Sequence, residues 1–149
     1  MNLKSLELYN NSFFGEIPSS IGSLEKLEIL ILSSNRLMGK LPESISSLKS
    51  LKVLSLFDNS FLGTIPSSIG KLSHLEELVL SNNAFYGNLP NELAQLTNLK
   101  TLLLSNNAFK GNYAVLKDQL PNIIDFDLDA ANMKSALATL DSEDDDDDE

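Results

Sequence analysis

Hydrophobic positions recur along this chain with a period of 24 residues between Leu3 and Asn122. The first four units follow the pattern L-x-x-L-x-L-x-x-N-x-F/L-x-G-x-I/L-P-x-x-I/L-x-x-L, and the fifth departs from it at Tyr113, Ala114 and Lys117. A period in this range is typical of stacked units that bury a core only against their neighbours. The pattern therefore predicts a solenoid that displays a large surface. Its five units span residues 3–26, 27–50, 51–74, 75–98 and 99–122.

The pattern within one unit predicts three successive segments. The opening Leu-x-x-Leu-x-Leu ends in period-two alternation, so Leu54 and Leu56 share the buried face of a short strand. Strands of successive units then form a parallel sheet. The Asn59 amide can donate to and accept from the backbone groups that the following turn leaves unpaired. A glycine permits the next bend, a proline fixes an extended backbone, and residues 67–72 return as a short helical or 3₁₀ segment.

The repeat weakens toward both ends of the chain. In the fifth unit Lys117 occupies an inward position, where we expect Leu116 to substitute through a local slip. A degenerate sixth unit and cap are predicted over residues 123–140, where apolar residues at i, i+4 and i+7 indicate a short amphipathic helix. At the other end no polar cap covers the inward residues of the first unit, which are Leu6, Leu8, Phe13 and Ile17.

Charge is concentrated in the last nine residues. The chain has 21 acidic and 11 basic residues, and eight of the acids lie in Asp141–Glu149, which leaves 13 against 11, or −2, elsewhere. Such a block is expected to be disordered. It either binds a basic protein or serves only solubility, and Ser142 within it is a candidate site for an acidophilic kinase. Nucleic acid is not an expected partner, because no basic stripe is present.

Composition also bears on location. The chain has no cysteine, which excludes disulfides and weakly favours a reducing compartment. Its longest unbroken apolar run, Ile29–Leu32, is far shorter than a membrane span, so we expect no direct membrane insertion. As written, the sequence predicts a cytoplasmic protein.

The inventory of reactive side chains does not support catalysis or a cofactor. His74 is the single histidine and occupies a variable turn position, and a triad or a nitrogen-rich metal site needs more than this. Asp125, Asp127 and Asp129 match the first half of a calcium loop, but Ala130 replaces the required glycine. We interpret them as a solvated acidic edge. A weak cation site and a docking point for a basic partner are the alternatives.

Four units carry the signature Gly-x-Ile/Leu-Pro, at Gly15–Pro18, Gly39–Pro42, Gly63–Pro66 and Gly87–Pro90. This pattern, which covers about four fifths of the chain, resembles the plant-type leucine-rich repeat of receptor-like kinases and receptor-like proteins. The resemblance implies an α/β fold: a right-handed solenoid with a parallel β-sheet on its concave face and short 3₁₀ or helical and extended segments on its convex face. It also implies cysteine-paired caps, a signal peptide and often a membrane span, which this sequence does not show.

The outward strand positions are the candidate binding surface. Many are apolar, with Glu7, Asp58 and Glu77 as a rim, and an exposed apolar patch with a polar rim marks an interaction site. Strand propensity alone is the alternative, although it does not explain Phe57 and Leu103. The candidate partner-binding residues are Tyr9, Ile29, Ile31, Val53, Phe57, Val79, Leu103, Asp125, Asp127 and Asp129.

These features predict a non-catalytic module that binds a protein or peptide ligand on its concave sheet. A second interpretation makes the chain a fragment of a membrane receptor-like protein or kinase ectodomain, because Met1 falls two residues before a repeat boundary. The protein would then be membrane-bound or extracellular, with its signal peptide and cap upstream. A third interpretation is an acidic-tailed binder of basic proteins.

Overall fold

The computed structural model describes residues 2–111 and 114–127, and its elements recur once per 24-residue unit. We call each unit a coil and number the coils 1 to 5, with coil 6 beginning at Ile123. The first strands of the coils pair in parallel into a six-stranded sheet in chain order. They are β1 (Ser5–Glu7), β3 (Ile29–Ile31), β5 (Val53–Ser55), β7 (Glu77–Val79), β9 (Thr101–Leu103) and β11 (Asp125–Asp127).

The solenoid predicted from the sequence is confirmed by this order, because each strand pairs only with the strands one coil before and one coil after it. Parts of the sequence analysis fall outside the described residues. These are Asp129, Ser142, residues 128–140 of the predicted cap, and the acidic tail 141–149.

The extended segments after the asparagines form a second parallel sheet, which the sequence analysis did not predict. Its strands are β2 (Phe14–Gly15), β4 (Arg36–Lys40), β6 (Ser60–Gly63), β8 (Ala84–Asn88) and β10 (Ala108–Lys110), again in sequential order. The register is offset, since Met38 pairs with Ser60 and Leu62 with Ala84, residues that are 22 apart rather than 24. Gly63 has φ +88°, and a Cβ at this position would lie 3.0 Å from Cγ of Lys40 in the preceding coil.

Short 3₁₀ helices complete the first four coils, as the sequence predicts. They are η1 (Ser19–Ser23), η2 (Glu43–Ser47), η3 (Ser67–Lys71) and η4 (Asn91–Gln95), and each follows a proline in extended conformation. Coil 5 has an α-helix instead, α1 (Ala114–Asp118). Leu116 is buried and Lys117 is exposed there, which confirms the predicted slip. In the described part of the chain, no helix combines the length and apolarity needed to cross a bilayer.

The core is a stack of leucine columns with one aromatic column. Phe61, Phe85 and Phe109 stack face to face, with ring centroids 6.1 Å and 6.0 Å apart. The same column ends in Phe13 of coil 1, whose side chain is 48% exposed because no described coil covers it. Ile17, which the sequence analysis expected to be uncovered, is buried at 7% exposure. Exposure of core side chains at this end of the solenoid is therefore confined to part of coil 1.

A column of asparagines joins the coils at the turn between the two sheets. The Asn59 side chain accepts from the Leu37 N–H at 3.0 Å and donates to the Leu32 carbonyl at 2.9 Å, both in the preceding coil. It also donates to the Leu56 carbonyl of its own coil. The structure confirms the predicted turn role and adds a bridge between coils. The same contacts recur at Asn35, Asn83 and Asn107.

We expect Asn59→Ala to lower the free energy of unfolding by roughly 2–6 kcal/mol. It strands a part-buried N–H and a carbonyl, each costing about 1–3 kcal/mol. Asn11→Ala is the matched control, because the Asn11 side chain donates only to carbonyls of its own exposed coil, those of Leu8 and Tyr9. Urea denaturation measures both variants. Equal losses would contradict the bridging role.

Candidate functional site

The concave face consists of the outward side chains of the six-stranded sheet. In coils 1 to 5 it also includes the residue two positions after the strand. Backbone pairing places these side chains in rows that run from coil to coil. The first row is Ser5, Ile29, Val53, Glu77, Thr101 and Asp125, the second is Glu7, Ile31, Ser55, Val79, Leu103 and Asp127, and the third is Tyr9, Ser33, Phe57, Ser81 and Ser105.

Apolar residues of this face fall into two groups rather than one stripe. Ile29 pairs with Val53 in the first row, and Phe57, 37% exposed, follows on the same coil as Val53. The second group lies in coils 4 and 5, where Val79 pairs with Leu103. Ser55 of coil 3 interrupts the second row before Val79. The Ser55 hydroxyl forms a hydrogen bond with the Ser33 hydroxyl, 2.7 Å away, so this position is polar.

The predicted apolar residues are only partly exposed. Ile31, like the four aliphatic residues just described, is half-buried between its neighbours in the sheet, whereas Tyr9 at the open edge is 55% exposed. Coils 2 and 3 therefore hold the most compact apolar area, which we call the apolar patch: Ile29, Ile31, Val53 and Phe57.

The charge on the concave face has a single sign. The outward positions of the described strands and the turn residues after them carry five carboxylates and no lysine or arginine. Three lysines lie at the border, one residue before a strand: Lys4, Lys52 and Lys100. The last two each face a glutamate of the coil before them. Lys52 Nζ is 3.8 Å from Glu28, and Lys100 Nζ is 3.6 Å from Glu76.

Asp127 has a structural role that the sequence analysis did not anticipate. In coils 1 to 4 the N–H after the strand donates to a main-chain carbonyl of the next coil, as Leu80 does to Leu103. In coil 5 the Leu104 N–H donates to Asp127 Oδ1 at 2.7 Å instead. The Ser105 N–H and hydroxyl bond to the same carboxylate. Its two oxygens thus replace strand pairing at the last described edge.

Asp125 remains exposed, and no hydrogen bond of its side chain is found in the described structure. No group of three or more His, Cys, Asp or Glu side chains that could hold a metal ion occurs among residues 2–111 and 114–127. His74 is exposed in the turn before β7, with Nδ1 3.1 Å from the Lys49 carbonyl oxygen. The concave face presents side chains that are held on paired strands.

A second apolar surface was missed by the sequence analysis. Four side chains stand out from the second sheet, at the position after the inward phenylalanine or leucine, and their exposed fractions range from 40% to 83%. Aligning the units by that column would have revealed them, since four of the five units are apolar there. They are Phe14, Met38, Leu62 and Tyr86.

Comparisons with known proteins agree with this architecture. A family model described as a leucine-rich repeat region matches residues 1–124. A search of curated proteins found no significant match.

Several solved structures are similar to the chain. The ectodomain of the Arabidopsis thaliana membrane receptor kinase GASSHO1/SCHENGEN3, in complex with CASPARIAN STRIP INTEGRITY FACTOR 2, is 46% identical over 71% of this chain, with a TM-score of 0.70. The PEPR1–AtPEP1 structure is 39% identical over 81%, with a TM-score of 0.78. The chain spans only 13% and 17% of these two proteins. It spans 68% of the A. thaliana SOBIR1 ectodomain, which is 39% identical over 83% of this chain, with a TM-score of 0.73.

We expect Asp127→Ala to release the end of the sheet. The Leu104 and Ser105 amides lose their acceptor, at a cost of about 1–3 kcal/mol, so their hydrogen exchange should accelerate. Asp125→Ala removes the same charge two residues away without removing a bond, and exchange at both amides should stay unchanged. If the two variants accelerate exchange equally, charge rather than hydrogen bonding explains the effect.

Proposed function

The chain belongs to the plant-type leucine-rich-repeat family, and we propose that it is a non-catalytic module that binds a peptide or protein on its concave face. The observation that carries the proposal is the apolar patch of coils 2 and 3, with serines beside it and carboxylates around it. Apolar area with a polar surround is the composition of interaction surfaces.

Rigidity of the scaffold supports the same function. Each strand of the concave face pairs on both sides, except at the ends of the sheet, and its inward leucines are buried. Outward side chains are therefore held in fixed relative positions before any partner arrives. Binding to a preorganised surface loses less conformational freedom, which favours affinity.

The chain is further proposed to act as part of a receptor ectodomain at the outside of the cell. Two of its structural relatives are ectodomains of receptor kinases, GASSHO1/SCHENGEN3 in complex with CASPARIAN STRIP INTEGRITY FACTOR 2 and SOBIR1. Sequence identities of 46% and 39% to these two ectodomains favour this location over the cytoplasmic one expected from composition.

We expect Ile31→Ser together with Phe57→Ser to weaken partner binding at least roughly tenfold, because each substitution removes apolar contact area worth about 1.5–3 kcal/mol when fully buried. The fold tolerates serine at both positions. Ser55 occupies the same position as Ile31 one coil later, and Ser33 the same position as Phe57 one coil earlier. Circular dichroism should therefore be unchanged.

A displayed library of random 12-residue peptides provides the probe. Peptides enriched on the unmodified chain are synthesised and titrated against the variant. Met38→Ser with Leu62→Ser, on the second sheet, is the control and should retain full affinity. Equal affinity of the concave variant would refute the site, and a library that yields no binder would refute the binding function itself.

A further inference from the structure

We propose that the ligand of the concave face is a cationic peptide, which runs across the coils with a large apolar side chain on the apolar patch and a lysine or arginine near Glu77 and Asp125. The inference rests on the proposed function and names the class of partner. It follows from three features of the same face: the uniform sign of its charge, the order of its groups along the solenoid, and one unpaired hydroxyl.

Charge is the first feature. Glu7, Asp58, Glu77, Asp125 and Asp127 lie at outward or turn positions of this face, with no cation among the described residues at those positions. Two of the border lysines, Lys52 and Lys100, already face Glu28 and Glu76 and do not cancel this charge. The third, Lys4, lies in coil 1, three coils from Glu77 and five from Asp125. A surface of one sign attracts partners of the opposite sign and speeds their encounter.

The order of the groups is the second feature. Apolar residues of the first row lie in coils 2 and 3, where Ile29 pairs with Val53, and its acids lie in coils 4 and 6. Adjacent strands are about 4.8 Å apart, so the acids lie roughly 7–17 Å from the centre of the apolar patch along the solenoid. An extended peptide covers this distance in roughly two to five residues. The ligand therefore needs its cation that far from its apolar anchor.

Ser81 is the third feature. It follows β7, in the coil that carries Glu77, and points to the concave side by alternation with the buried Leu80. Its side chain is 5% exposed, and its hydroxyl has no hydrogen-bond partner among the described residues. A buried hydroxyl without a partner is unfavourable, and a main-chain group of a peptide lying across coils 3 to 5 would supply one. This observation is independent of the charges.

The test compares peptides and carboxylates in a double-mutant cycle. The best binder from the displayed library is synthesised with its lysines and arginines, and again with glutamine in their place. On the unmodified chain we expect the glutamine analogue to bind roughly tenfold more weakly, and on Glu77→Gln/Asp125→Asn we expect the two peptides to bind almost equally. Both substituted side chains are exposed, so the fold should not change. Glu25→Gln/Asp118→Asn removes two exposed acids elsewhere and should preserve the tenfold difference.

The outcomes separate this inference from the proposed function. Binders that need Ile31 and Phe57 but carry no excess of lysine or arginine would overturn the cationic class and leave the binding function standing. A cationic preference that survives Glu77→Gln/Asp125→Asn would overturn the assigned carboxylates. Binders that ignore Ile31→Ser/Phe57→Ser, or no binders at all, would overturn both proposals.

Discussion

The asparagine column holds the structure together, because a single coil cannot pair the backbone groups of its own turn. Asn35 and its equivalents each accept a main-chain N–H of the preceding coil and donate to carbonyls of two coils. Burying those groups unpaired would cost more than most side-chain contacts contribute. Each coil is therefore stable only against a neighbour of the same design, and the stacked leucines and phenylalanines add their burial to that arrangement.

This dependence on neighbours makes the two ends of the described solenoid different. Coil 1 presents Phe13 and Phe14 to solvent, and Asn11 bonds within its own coil. At the opposite edge the Asp127 carboxylate takes the place of a strand carbonyl for two amides of coil 5. One side chain thus does for two amides what a main-chain carbonyl does in coils 1 to 4, because a carboxylate can accept several hydrogen bonds at once.

Stacking requires particular residues at the inward and turn positions. Variation in residue type between coils is therefore confined to the outward positions. The concave face uses that freedom for an apolar patch in coils 2 and 3 and for acids in coils 4 and 6. Its serines join neighbouring coils, as Ser33 and Ser55 do, and keep the face partly polar. The proposed binding surface therefore extends over several coils, because its apolar and acidic side chains come from different coils.

Sequence by itself determined the strands, the asparagine turns, the 3₁₀ segments and the slip that buries Leu116 in place of Lys117. These features follow from local geometry and from the identity of residues one period apart. Only the tertiary structure decided the second sheet, whose partners are 22 residues apart, because the offset between coils is not encoded within one coil. It also decided that Asp127 bonds the backbone while Asp125 stays exposed, and that Ser55 divides the apolar residues. Exposure and pairing at these positions depend on which side chains lie beside them in the next coil, and the pattern of a single unit does not specify that.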